Sequence, residues 1–154
     1  MSKQVRAASL VAMAALLLSG CTTGATPQPT PSYTPKVYVN APLTGMPFEE
    51  GTRPSLDGPS VACKIDNVHT ETLKANINRT DLVYVEMVEG GLTRLVAVWH
   101  SDLPTAVGPV HSIRPMDPDI ISPLGGIVCY SGGQLKFVTM MRNTNVFNAS
   151  ETSE

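Results

Sequence analysis

Aromatic side chains are scarce in this sequence, with one Trp, four Tyr and three Phe among 154 residues. Val, Ile, Leu and Met must therefore supply most of any core. Positive charge is also short, since 11 Lys and Arg stand against 13 Asp and Glu. That balance argues against nucleic acid as a partner and against electrostatic adhesion to anionic lipid. No apolar run reaches the roughly 20 residues that a membrane-spanning helix needs. There is no Walker sequence, no Gly-x-Ser-x-Gly elbow and no CxxC pair. These absences leave no expected cofactor, no metal and no complete catalytic constellation.

What is present begins at the amino terminus. Lys3 and Arg6 precede an apolar stretch from Ala7 to Leu18, which runs into Leu17-Leu18-Ser19-Gly20-Cys21. This is the pattern of a bacterial lipoprotein signal. It predicts removal of residues 1–20 and a diacylated Cys21, anchoring the chain at the extracytoplasmic face of the cell membrane. Loss of the signal makes the formal charge −4. Residues 21–47 hold Pro27, Pro29, Pro31, Pro35, Pro42 and Pro47 with many Thr. So little apolar surface predicts a semi-extended tether, with a small domain over 48–154.

Within that domain, Ser60 to Ile65 reads as a strand ending in a turn at Asp66-Asn67. Leu82 to Val88 and Leu92 to Trp99 flank Glu89-Gly90-Gly91 and predict a hairpin. The weak alternation of Leu95 to Trp99 fits a central strand covered on both faces. Residues 101–115 form a long Pro-rich loop, and long ordered loops tend to be functional. A short helix is expected from Pro118 to Ser122 with Asp117 as its cap. Gly126 to Tyr130 is a further buried strand. Leu135, Val138 and Met141 mark the apolar stripe of a helix over 134–142. Strands and helices mix without a βαβ rhythm, so the class is α+β, a mixed sheet built around a hairpin with short helices packed on it. Cys63 and Cys129 can pair outside the cytoplasm, yet each lies in an apolar run and is read as a small core side chain.

Two charged groups stand out. The hairpin brings Glu86, Glu89 and Arg94 close, either as an Arg–carboxylate fork closing the turn or as a cleft floor facing a ligand anion. The loop Val107-Gly108-Pro109-Val110-His111-Ser112-Ile113-Arg114-Pro115 presents His111, Ser112 and Arg114 on a braced turn. Asp66, at the strand end, joins them as a candidate. Ser131-Gly132-Gly133 precedes a helix and reads either as a turn or as an anion-binding run of amides.

Several motifs in order carry a family resemblance: Pro42-Leu43-Thr44-Gly45, Lys64-Ile65-Asp66-Asn67, Asp81 to Glu86, Val88 to Arg94 and Val107 to Arg114. From about Pro42 to Arg142 the chain resembles the YerB-like bacterial lipoproteins, a family built on a domain of unknown function, and Arg114 to Asp119 with Ser131-Gly132-Gly133 resembles its actinobacterial branch. The resemblance implies an N-terminal domain, truncated or differently ended, since family members continue into a second domain. Relatives typically carry Arg where this chain has His111, so a permanent positive charge is missing there.

The expected role is a membrane-tethered, non-catalytic binding or accessory domain of the cell envelope. The hairpin and the 111–114 loop would form its recognition surface. Its expected partners are the membrane, through the lipid, and an envelope ligand or protein. The alternative is an envelope hydrolase or transferase acting on an anionic or glycan substrate. There Glu86 or Asp66 would serve as acid/base, and Arg94 and Arg114 would hold the substrate.

Overall fold

The computed structural model describes residues 32–68 and 73–150. The signal and Cys21 lie outside the described residues. The chain divides into two compact units, and the fold below is that of the second, which begins at Lys36.

It opens with a two-stranded antiparallel ribbon, β1 (Tyr38–Asn40) and β2 (Pro47–Glu49). Part of the stretch expected to be a tether is therefore folded. The turn between the strands is closed by the Ala41 amide on Met46 O at 2.9 Å and the Gly45 amide on Ala41 O at 2.8 Å. A ribbon of this size satisfies its backbone without a large core. Its prolines sit in the turn and at a strand start, where no ladder amide is lost. Ala41 is buried, and Leu43 packs against the main core.

The main sheet has five strands in the order β4-β5-β3-β6-β7: β3 (Val61–Asp66), β4 (Leu82–Met87), β5 (Thr93–Trp99), β6 (Ile127–Tyr130) and β7 (Phe147–Ser150). β3 pairs antiparallel with β5 and parallel with β6, so the sheet is mixed and the class is α+β. The hairpin β4/β5 turns through Glu89–Gly91 as expected. β5 is buried from Arg94 to Trp99 because strands flank it and layers cover both its faces. Short helices α1 (Asp117–Ile121) and α2 (Leu135–Arg142) cover one face. There Ala62, Val96, Val98 and Val128 meet Ile121, Phe137, Val138 and Met141. Leu135, expected in the α2 stripe, is 80% exposed, and Phe137 takes the inward position instead. The opposite face gathers Cys63, Ile65, Leu95, Ala97 and Trp99 under a loop that carries Val107 and Val110.

Cys63 and Cys129 are not free core thiols. They face each other in the β3/β6 register and form a disulfide with Cα atoms 4.5 Å apart. The apolar surroundings of each residue favour an unpaired thiol when taken one at a time; only the parallel pairing of two distant strands brings the sulfurs together. The bond lines a cavity of about 350 Å³ with Trp99, Leu103, Pro104 and Val107, on the loop-covered face.

β6 follows β3 only as far as Cys63. Beyond it, the loop takes over that side of the strand. The Asp66 amide donates to Pro109 O at 3.0 Å and the His111 amide to Lys64 O at 2.8 Å, after a cis Gly108–Pro109 bond. The loop's far side is held as well, by the Ser131 amide on His111 O (3.1 Å) and the Ile113 amide on Gly132 O (3.0 Å). The Ser131 amide is thus committed to the loop rather than offered to an anion. Gly133 permits this approach, because a Cβ there would lie 2.9 Å from Ile113 Cγ2 at a φ of +149°.

Candidate functional site

The alternation of strand side chains sets the polar residues on one face. In the sheet register Arg94 lies between Asp66 on β3 and Glu86 on β4, all directed to the helix-covered side. Two residues earlier on β3, Lys64 shares that face. Apolar neighbours fill the rest of the layer, so this end of the core is a patch of charge enclosed by hydrophobic packing.

Lys64 is its centre. The ammonium is fully buried and donates to Glu86 Oε2 and to Asp117 Oδ1, the latter at 2.7 Å. Asp117 Oδ2 accepts the Arg114 amide, which fixes the loop exit against the first turn of α1. Asp117 is therefore not the helix cap that the sequence suggested: the cap position is Met116, and the carboxylate turns inward because a buried ammonium needs counter-charge more than a five-residue helix needs a cap. Glu86 is held with its pKa raised, first by burial and also by the Asp117 carboxylate, with Lys64 opposing.

The expected fork between Arg94 and the hairpin carboxylates does not form. Glu86 is taken by Lys64, and Glu89 at the turn reaches across to Arg114, whose Nε donates to Glu89 Oε2 at 2.9 Å. Glu89 is held below the usual carboxylate range, chiefly by its own backbone amide and then by Arg114. Arg94 itself is only 7% exposed. Its Nη2 lies 3.3 Å from His111 Nε2, while Nε and Nη1 have no partner among the described residues, and neither has Glu86 Oε1. Desolvation, and then the nearby Arg114, lower the Arg94 pKa.

His111 is also held below its ordinary value, first by burial and then by the Arg94 guanidinium. Its Nδ1 accepts the Ser112 amide at 2.7 Å. Ser112 enters through its backbone, since its carbonyl also accepts from Arg114 Nη1 at 3.4 Å. Asp66 is buried beside Arg94 and accepts a long bond, 3.4 Å, from the Val68 amide. All seven candidates, Asp66, Glu86, Glu89, Arg94, His111, Ser112 and Arg114, thus fall in one region.

Two members escape sequence reasoning. Lys64 is absorbed into an apolar strand, although a lysine between Cys63 and Ile65 in a central strand must find buried carboxylates. Asp117 is hidden by its Asp-Pro context, which is also a helix-start signal.

An α+β domain with a mixed five-stranded sheet and a buried ionic cluster at one end of its helix-covered face defines the class of protein. Residues 43–154 match the family described as "Protein of unknown function (DUF3048) N-terminal domain", and the chain belongs to that family. It is 32% identical over 76 residues, 49% of this chain and 22% of the relative, to a Bacillus subtilis (strain 168) protein named "Putative lipoprotein YerB". The crystal structure of YerB from Bacillus subtilis shares the fold with a TM-score of 0.63 at 24% identity, covering 73% of this chain and 38% of that one. The chain thus spans well under half the length of the proteins it matches.

Proposed function

We propose that this chain is a lipid-anchored extracytoplasmic domain that binds an envelope ligand without transforming it, using the surface between the β4/β5 turn and the 111–114 loop. The observation that carries this reading is Arg94, a buried guanidinium whose Nε and Nη1 have no partner among the described residues. A buried donor without a partner costs stability and is retained where something else meets it. The name of the Bacillus relative and the amino-terminal signal pattern support the anchor. Holding is favoured over turnover because Glu86 and Asp117 already answer Lys64 through Oε2 and Oδ1, and of that pair only Glu86 Oε1 is left without a partner among the described residues.

The test is binding of the purified protein to envelope fragments. Arg94→Ala and Arg114→Ala should each weaken it by about tenfold or more, the loss of a charge-assisted contact. Unchanged binding by variants that melt like the parent would remove this surface from consideration.

A further inference from the structure

The ligand class can be read from the pattern of unmet groups, an inference that rests on the surface proposed above. Among the described residues Arg94 has two donor atoms without a partner, Nε and Nη1, while Glu86, directly opposite it in the β4/β5 register, has an acceptor without one, Oε1. Both residues are more than nine-tenths buried, and yet their unmet atoms are not joined to each other. Cross-strand neighbours on one face hold their Cβ atoms about 5 Å apart. A ligand that is anionic at one end and donates hydrogen bonds at the other would fill both needs.

His111 narrows the choice. A neutral imidazole has a single acceptor nitrogen. Here Nδ1 receives the Ser112 amide at 2.7 Å, which leaves the ring proton on Nε2, facing Arg94 Nη2 at 3.3 Å. Donor meets donor. Protonating the ring does not relieve the clash, because it would place donors on both nitrogens. A carboxylate oxygen seated between Nε2 and the guanidinium turns this opposition into two hydrogen bonds.

Charge decides against a simple anion. Lys64, Arg94 and Arg114 bring three positive charges, and Asp66, Glu86, Glu89 and Asp117 bring four negative ones, so with His111 neutral the cluster carries −1. A polyanion would be repelled by that sum, whereas a molecule of no net charge would not.

We infer that the site takes a zwitterion with ammonium and carboxylate on one carbon, the carboxylate on Arg94 and His111 and the ammonium on Glu86 Oε1. Two sources offer this chemistry: a free α-amino acid, and an amino-acid end carried on a cell-wall peptide. At the rim the Arg114–Glu89 pair bridges the loop to the hairpin turn, with the Glu89 side chain 65% exposed.

The experiment titrates the full chain, purified from membranes, with glycine, acetate and methylammonium. Calorimetry and the ring-nitrogen resonances of His111 provide the readouts. Glycine should bind at one site, about tenfold or more tighter than either half-molecule, and should shift the His111 Nε2 signal. Arg94→Lys should abolish this with the melting temperature retained. To separate the sources, free D- and L-alanine are compared with wall fragments before and after acetylation of their amines. Loss of fragment binding on acetylation assigns the wall peptide, and binding of the free amino acids alone assigns the free ligand.

Acetate binding as well as glycine would overturn the zwitterion and leave an anion-holding surface intact. Failure of all three probes would overturn the inference too, as would a crystal grown in glycine that shows only ordered water on Arg94 and Glu86. Those results stand apart from failure of the surface itself, which is read from envelope binding in the Arg94→Ala and Arg114→Ala variants. Because the wild-type titration needs no substitution, its outcome decides the matter even where a variant does not fold.

Discussion

Lys64 makes the buried cluster an all-or-nothing arrangement. Its ammonium has no solvent and two carboxylates. Removing one member of such a set strands the others, at a cost of about 3–5 kcal/mol. Lys64→Ala should therefore lose that much in urea unfolding. The combined replacement Lys64→Met, Glu86→Gln and Asp117→Asn should recover most of it, because no charge is then left unpaired. A triple variant no better than the single one would show that the cluster is not the source of the loss. His111 yields a pH prediction at the same scale. Its folded pKa lies below the ordinary 6.5, so the unfolded chain takes up the proton first. Stability is then fully present above about pH 6.5 and drains away as pH falls through the folded value. Replacement with His111→Phe should flatten that part of a melting-temperature profile. Glu86 has the opposite sign, since a raised carboxyl pKa favours the fold below its ordinary 4.5 and disfavours it as pH rises through the folded value. The two slopes oppose each other and separate by variant.

Among the elements, β3 carries the most consequence. One half pairs with β6 and the other with the 109–111 strip, so this strand sets His111 beside Lys64 while Ser131 holds the loop from its far side. The disulfide fastens β3 to β6 at Cys63, the last register pair before the loop takes over. It closes a loop of 66 residues, for which the chain-entropy account gives about 4 kcal/mol. Cys63→Ala with Cys129→Ala should lower the unfolding free energy by about that amount, measured by denaturant titration. Equal midpoints for the parent with and without reductant would show that the bond contributes nothing. β3 to β6 are readable from β-branched runs and turn residues, and the hairpin from its Gly-Gly break, whereas β1, β2 and β7 are not. The partner of each carboxylate is not readable, because Glu86 and Glu89 lie beside Arg94 in the hairpin while their partners Lys64 and Arg114 come from other segments.

At the scale of the whole molecule, the amino-terminal pattern and the folded domain make separate claims. No helix among the described residues is long and apolar enough to cross a membrane. The lipoprotein reading places the anchor on the sulfur of Cys21. Cys21→Ser should release the protein from the membrane fraction, and intact-mass measurement should show the loss of acyl chains. Retention of the variant in membranes would remove the lipid from the account. The folded unit reaches further toward the amino terminus than composition suggests, since Lys36 to Glu49 form a ribbon where a tether is expected. Proline content signals an absence of core, and a ribbon closed by backbone hydrogen bonds does not require one.

Local patterning carried the signal pattern, strands β3 to β6, the hairpin and the α+β class, because these depend on neighbours within a few positions of the chain, whereas β1, β2 and β7 left no such mark. The tertiary structure alone decided that Lys64 holds Glu86 and Asp117, that Cys63 meets Cys129, and that Arg94 is left with unmet donors beside His111. Those contacts depend on register between strands far apart in the chain. Burial then raises the cost of each unpaired charge, so that partners are assigned by the whole layer rather than by local spacing.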